Sequence, residues 1–282
     1  MKILVTGAAG NVGKELVTQL QPNHDVVGVD LEHFDIVDWN STNDFIQQQQ
    51  PNLVIHPAAW TDVDGCAKDP DKAIRINGLG AQNMAVAAAA VGAPIVHIST
   101  NEVFDGYGDH LYKEYDQTHP TNPYGYSKWV AERAVMAVNP QHYIVRPSWV
   151  FSHGGRNFIQ AILGAAEAGK TLRVVTNEVA NPTYSVDLAE AIIKLIATGR
   201  YGIYHFGNEG AVSRYQFARY ILDAAGYTDT PILPISAAEW PRSSTPPMYA
   251  GLENHAGAML GIRLRPWREA VDAFMVKEGL SN

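Results

Sequence analysis

The chain of 282 residues is 46% hydrophobic and 18% charged, with a formal net charge of −8. That length buries a sizeable core in one large domain or two lobes. An acidic balance without a long run of one sign argues against nucleic-acid or anionic-membrane binding as the main activity. A single cysteine, Cys66, excludes an internal disulfide and any multi-cysteine metal site, and reads as a half-buried small residue. No apolar stretch approaches the roughly 20 residues needed to cross a bilayer. Met1-Lys2 leads directly into a strand with no room for a signal peptide, so the expected compartment is the cytoplasm.

Lys2–Thr6 is a short apolar run followed by Gly7-Ala8-Ala9-Gly10-Asn11-Val12-Gly13, then a helical pattern with Val12, Leu16, Val17 and Leu20 on one side. A second strand, Asp25–Val29, ends on Asp30. Strand, glycine turn, helix, strand and terminal acid form the layout of a dinucleotide-binding βαβ unit. Gly7 permits the tight turn, Gly10 lets backbone amides approach a pyrophosphate, and Gly13 allows close helix–strand packing, with the helix N-terminus facing the anion. Asp30, 17 residues beyond Gly13, is placed to accept bonds from the adenosine ribose hydroxyls.

The alternation continues. Gln47–Gln50 closes a helix, Asn52–Ala58 reads as a strand and Asp71–Val91 as a long Ala-rich helix. Ala93–Ser99 is the next strand, Tyr126–Val138 a helix and His142–Val150 another strand. Strands alternating with helices imply an α/β fold, a Rossmann-type doubly wound parallel sheet with right-handed crossovers. After Phe151 the texture changes: Ser152–Asn157 is a polar, glycine-rich loop, Phe158–Ala168 and Val186–Thr198 read as helices, and the tail holds Pro231, Pro234, Pro241, Pro246 and Pro247. The expected division is a dinucleotide-binding domain over residues 1–151 plus about 175–200. A smaller C-terminal substrate-binding lobe over 152–174 and 201–282 would pack on the carboxyl ends of the strands.

Between strand Ala93–Ser99 and helix Tyr126–Val138 lie a hydroxyl residue, Thr100, and a Tyr124-x-x-x-Lys128 pair. Tyr and Lys four apart on a helix share one face, and a neighbouring cation favours the phenolate and lowers its pKa from about 10. That arrangement can pass a proton near neutral pH, whereas the same spacing also occurs on ordinary amphipathic surface helices. The ten histidines lack paired spacing, His56 and His97 end or line strands, and no metal-ligand cluster stands out. Asp62 and Asp64 read as capping or solvated residues.

With the glycine turn and the Thr…Tyr-x-x-x-Lys set together, the chain resembles the extended short-chain dehydrogenase/reductase family, and within it the dTDP-4-dehydrorhamnose reductases. The resemblance runs through Gly7–Leu16, His56–Asp64, Ile95–Gly106, Asn122–Lys128, Arg146–Phe158, Asn181–Ala189 and Gly202–Asn208. It implies reduction of the 4-keto group of a nucleotide-activated deoxysugar by NAD(P)H. Tyr124 would donate the proton, Lys128 would bind the nicotinamide ribose and lower the Tyr124 pKa, and Thr100 would bond the reacting oxygen. Gly7, Ala9, Gly10, Asn11, Val12, Gly13, Asp30, Ala58, Ala59, Lys128 and Pro147 form the implied cofactor-binding set, with Ser148 beside the nicotinamide. Glu102, Trp149, Asn157 and Arg242 fall on the substrate side, Arg242 as a diphosphate ligand by its charge. Asn77 sits where extended members place a helix-distorting Asn, and it reads equally as a solvated polar residue. The resemblance also allows a homodimer.

Two departures from the reductases matter. Asp-Tyr usually follows the Thr, and here the pair is Asn101-Glu102. Thr-Asp-Glu belongs to the sugar-nucleotide 4,6-dehydratases, but Asn101 cannot supply that acid's proton. Arg146-Pro147 replaces the common Arg-Thr, as in other extended members. A 4,6-dehydratase or epimerase on the same scaffold, and a non-catalytic NAD(P)-binding subunit like the β-subunit of methionine adenosyltransferase, are the alternative readings. Asp30 and Glu32 with no Arg or Lys nearby would repel a 2′-phosphate, so NADH is the expected cofactor over NADPH.

Overall fold

The computed structural model describes residues 1–154 and 157–280; Gly155 and Arg156 of the expected polar loop lie outside the described residues. Strand β1 (Lys2–Thr6), helix α1 (Asn11–Leu20) and strand β2 (Asp25–Val29) form the first unit. Helix α2 (Trp39–Gln49), capped by Asp38 at its start and by left-handed Gln50 at its end, leads to β3 (Leu53–His56). Helices α3 (Val63–Lys68), α4 (Pro70–Ala73) and α5 (Gly80–Ala90) precede β4 (Ile95–Ile98), and α6 (Pro123–Val138) precedes β5 (His142–Arg146). There follow β6 (Val150–Phe151), α7 (Phe158–Glu167), β7 (Leu172–Val175), β8 (Val179–Ala180), β9 (Thr183–Tyr184), α8 (Ser185–Thr198) and β10 (Gly202–His205). The chain closes with β11 (Val212–Ser213), α9 (Arg214–Ala224), β12 (Ile232–Ile235), α10 (Ala256–Met259) and α11 (Trp267–Glu278).

Six strands pair in parallel in the order β2-β1-β3-β4-β5-β10. Both faces of this sheet are covered, which is why its strands read as continuous apolar runs rather than alternating ones. Ile3, Val5, Ile55 and Val96 pack against Leu16 and Leu20 of α1 and Leu188 and Ile192 of α8. On the opposite face Leu4, Val54, Ile95 and Ile144 meet Ile46 of α2, Met84 and Ala85 of α5, and Ala131 and Val135 of α6. The strand order reverses between β1 and β3, so the loops at their carboxyl ends part and open a crevice.

A separate core, Phe151, Ile159, Leu163, Phe217, Ile221, Trp267 and Phe274, joins β6, α7, α9 and α11. Three two-stranded pairs, β6-β9, β7-β12 and β8-β11, accompany it. Strand β10 comes from the stretch read as the smaller lobe, yet it extends the main sheet beyond β5. The expected single helix over Asp71–Val91 is also interrupted. Ile74–Leu79 forms a π-helical turn between α4 and α5. Its cause is Asn77, which is 2% exposed. Asn77 Oδ1 accepts from the Trp60 amide at 2.7 Å, and its Nδ2 donates to the Trp60 carbonyl at 3.0 Å and to Ser127 Oγ at 2.9 Å. Asn77 thus ties the loop after β3 to α6, and the helix widens to let it do so.

Candidate active site

At the carboxyl edge of the sheet lies a cleft of about 1120 Å³. One end is the glycine turn. Gly7 adopts φ 59°, and a Cβ there would press on the Ala58 backbone at 3.0 Å; one on Gly13 would stand 2.0 Å from the Gly7 carbonyl oxygen. No side chain caps the α1 N-terminus, so its first amides are open to an anion. Gly7, Gly10, Asn11, Val12, Gly13, Asp30, Ala58 and Ala59 line this end. Ala9 does not line the cleft; its amide donates to Asp30 Oδ2 at 2.9 Å and ties the turn to the end of β2.

The other end is built by the start of α6. Asn122 Oδ1 accepts from the Gly125 amide at 2.8 Å, and Pro123 occupies the first helical position. The helix therefore begins before the expected Tyr126, and Tyr124 and Lys128 lie one turn apart on a common face. Gly125 lets α6 approach the Asn101–Val103 turn, since a Cβ there would meet the Glu102 carbonyl oxygen at 2.1 Å. Thr100, Glu102, Tyr124, Lys128, Pro147 and Trp149 all line the cleft, and Ser148, just beyond Pro147, is buried with its Oγ accepting from the Asn181 amide.

The electrostatics differ from the expectation drawn from spacing. Burial, and then the charge of Glu102, push the Tyr124 phenol above its usual range, with a hydrogen bond from Thr100 opposing them. Burial pulls the Lys128 ammonium down to about 8, against the charge of Glu132. Beneath them His56 is driven to about 3 and His97 well below the usual imidazole value, by burial and by Lys128, so both stay neutral. The resting phenol holds its proton firmly, and Lys128 is not among the groups that shift it.

Glu102 carries the third ionisable group. Asn122 Nδ2 donates to its Oε2 at 2.7 Å. Burial raises its pKa, while the Asn122 bond and the charges of Arg242 and Arg214 oppose that shift. Its neighbour Asn101 is buried and donates from Nδ2 to the Ala250 carbonyl at 3.1 Å.

Two expected substrate residues do not line the cleft. Asn157 caps α7, its Oδ1 accepting from the Gln160 amide at 3.0 Å and its Nδ2 donating to the Ser152 carbonyl at 2.8 Å. Arg242 donates from Nε to Asp64 Oδ1 at 3.3 Å. Burial pushes the Asp64 carboxyl up, but the Ser244 amide and Arg242 outweigh it and hold it below the usual range. Asp62 caps α3 as expected, and Cys66 is fully buried rather than half-buried. Asn122 escaped the reading of the sequence although Asn-Pro at a helix start announces a cap and a first turn. Among the described residues no helix is long and apolar enough to cross a membrane, and no group of His, Cys, Asp and Glu could hold a metal ion.

The RmlD substrate binding domain matches residues 1–279. A spore coat polysaccharide biosynthesis protein of Bacillus subtilis is 41% identical over 275 residues, 97% of this chain and 96% of that protein. A dTDP-4-dehydrorhamnose reductase from Clostridium acetobutylicum superposes with a TM-score of 0.95 at 36% identity, covering 99% of this chain and 100% of the other. A second, from Bacillus anthracis and solved in complex with NADP, gives 0.93 at 34% identity, covering 98% and 99%.

Proposed function

Because the chain belongs to the family of the RmlD substrate binding domain, we propose that it reduces the 4-keto group of a dTDP-activated 6-deoxysugar with NAD(P)H. One observation carries this reading: Thr100, Tyr124 and Lys128 line the same cleft as the glycine turn. The open amides of α1 and the space that only Gly7 and Gly13 leave fit a pyrophosphate. When bound there, NAD(P)H supplies the hydride.

The chain's own part is the proton. Tyr124 Oη keeps its proton until a ketone oxygen accepts it, and Thr100 bonds that hydroxyl and fixes its direction. As the proton leaves, negative charge grows on Oη, one helical turn from the Lys128 ammonium, which favours the phenolate. Protonated Lys128 is needed, so activity should fall as pH rises past the Lys128 pKa of about 8. On the substrate side Trp149 offers a flat apolar wall, Glu102 accepts a bond from a sugar hydroxyl, and Arg242 exchanges Asp64 for the diphosphate. The enzyme works in the cytoplasm.

Asp30 on the cleft, with exposed Leu31 and Glu32 beside it, favours NADH: like charges at close range cost on the order of 1 kcal/mol. Separate dissociation constants for NADH and NADPH check this, and tighter NADPH binding refutes it. The purified protein, given dTDP-4-keto-6-deoxymannose-type sugars, should oxidise NAD(P)H with loss of its near-ultraviolet absorbance. Elimination of water from a nucleotide hexose without net NADH consumption would instead establish the dehydratase reading. Binding of NADH with no turnover of any sugar would establish the non-catalytic one.

A further inference from the structure

The wall residue Trp149 has an unusual backbone. Only two non-glycine residues among those described have positive φ, Gln50 at 45° and Trp149 at 39°. Gln50 is the exposed C-cap of α2, where the left-handed conformation is ordinary. Trp149 is bulky and lies on the cleft, where such a backbone persists only if its surroundings over-determine it.

Among those surroundings is Arg214, the first residue of α9. Its Cζ stands 3.5 Å from the centre of the Trp149 ring and 5.1 Å from that of Phe158. A guanidinium at that distance lies flat on the indole, joining dispersion to cation–π attraction. The arginine is itself anchored: its amide donates to the Glu178 carbonyl at 3.0 Å, and its Nε lies 3.7 Å from Glu178 Oε2. Arg214 does not line the cleft.

We infer that Arg214 is a positioning residue, which clamps the Trp149 indole from behind and acts on the bound sugar through that ring. This rests on Trp149 being the sugar-side wall of the proposed reductase. A competing route runs through charge, since Arg214 also lies within electrostatic reach of Glu102. The two routes separate by chemistry. Lysine keeps the charge but has no flat face to stack on an indole.

The test is a cycle of Arg214→Lys, Arg214→Ala and Trp149→Leu, singly and combined, read by sugar KM, kcat, NADH affinity and Trp149 emission. Trp149 emission is the difference between each protein and its Trp149→Leu counterpart, measured without ligand. Both Arg214 variants should raise the sugar KM about tenfold or more and change NADH affinity less than twofold. Both should red-shift Trp149 emission, and on the Trp149→Leu background either should add less than a twofold effect. Normal KM in Arg214→Lys, effects that multiply in the double variant, or unshifted emission overturns the clamp. If Arg214→Ala does not fold, Arg214→Lys alone still decides through emission and KM. If wild-type protein reduces no sugar, the reductase reading fails, while the emission shift still judges the clamp.

Discussion

Lys128 and Glu132 stand one turn apart on α6, 2% and 1% exposed, and the chain treats their charges in opposite ways. Glu132 is fully paired. Arg146 Nη2 donates to its Oε2 at 2.7 Å and Nε to its Oε1 at 2.8 Å, while Ser99 Oγ donates to Oε1 at 2.5 Å. The guanidinium itself lies 3.3 Å from His205 Nε2 and over the Phe104 ring. Lys128 has no ion pair or hydrogen bond among the described residues and is pulled down to about 8. A buried charge with a fork-shaped partner is structural: it locks β5 and the end of β4 to α6. A buried charge left without one, on the wall of a cleft, is held for something that arrives later.

Four experiments bear on that contrast. The largest effect belongs to Glu132→Ala, which leaves Arg146 buried and unpaired; it should cost about 3–5 kcal/mol in urea unfolding. Replacing both partners with leucine should recover most of that, and a double variant as unstable as the single would show that the pair itself is needed. Tyr124→Phe comes next. It removes the donated proton without disturbing α6, and turnover should drop about 10²-fold or more while NADH affinity holds. Near-normal turnover would remove Tyr124 from the proton step.

Asn122→Ala is smaller. It deletes the cap of α6 and the Glu102 contact together, and should cost about 1 kcal/mol in stability. It should also raise the sugar KM more than Asp62→Ala does, because the α3 cap touches no cleft carboxylate. The last is a slope, read as a change with pH rather than as a single loss. Folding depresses the Lys128 pKa from 10.5 to about 8. Below about pH 8 both states hold the proton and the burial cost is felt in full. Between 8 and 10.5 the unfolded chain binds more protons, so stability rises with pH. Subtracting Lys128→Met unfolding curves from wild-type ones across that range should show this rise, and a flat difference would mean Lys128 is not desolvated.

What could be read in advance was local. The glycine turn, Asp30, and the Tyr124–Lys128 spacing lie within short windows whose backbone geometry follows from residue type, and the structure brings them to one cleft. The residues missed have partners distant in sequence. Glu132 finds Arg146 only through the packing of α6 on β5, Asn122 finds Glu102 across 20 residues, and Arg214 reaches Trp149 from the start of α9. Asn77 was half legible: the resemblance placed a helix-distorting Asn there, but its choice of Trp60 and Ser127 depended on how α6 packs. Strand β10 was misplaced because an edge strand and a lobe strand share the same short apolar pattern, and only the β5 edge distinguishes them.

The strand order carries a consequence in time. Every strand from β1 to β5 is present once residue 146 has been made, so the glycine turn and Tyr124 can meet early in synthesis. The edge strand β10 comes some sixty residues later. Ala250, whose carbonyl holds Asn101, and Leu252, whose amide is held by Asn181, come later still. At the usual elongation rate of roughly 5–20 residues per second, the hundred residues between β5 and Leu252 take about 5–20 s. For that interval a nascent chain carries every residue that lines the cleft while the Ala250 carbonyl that holds Asn101 is still unmade, and early ligand capture at the turn would stabilise the sheet before its last strand emerges.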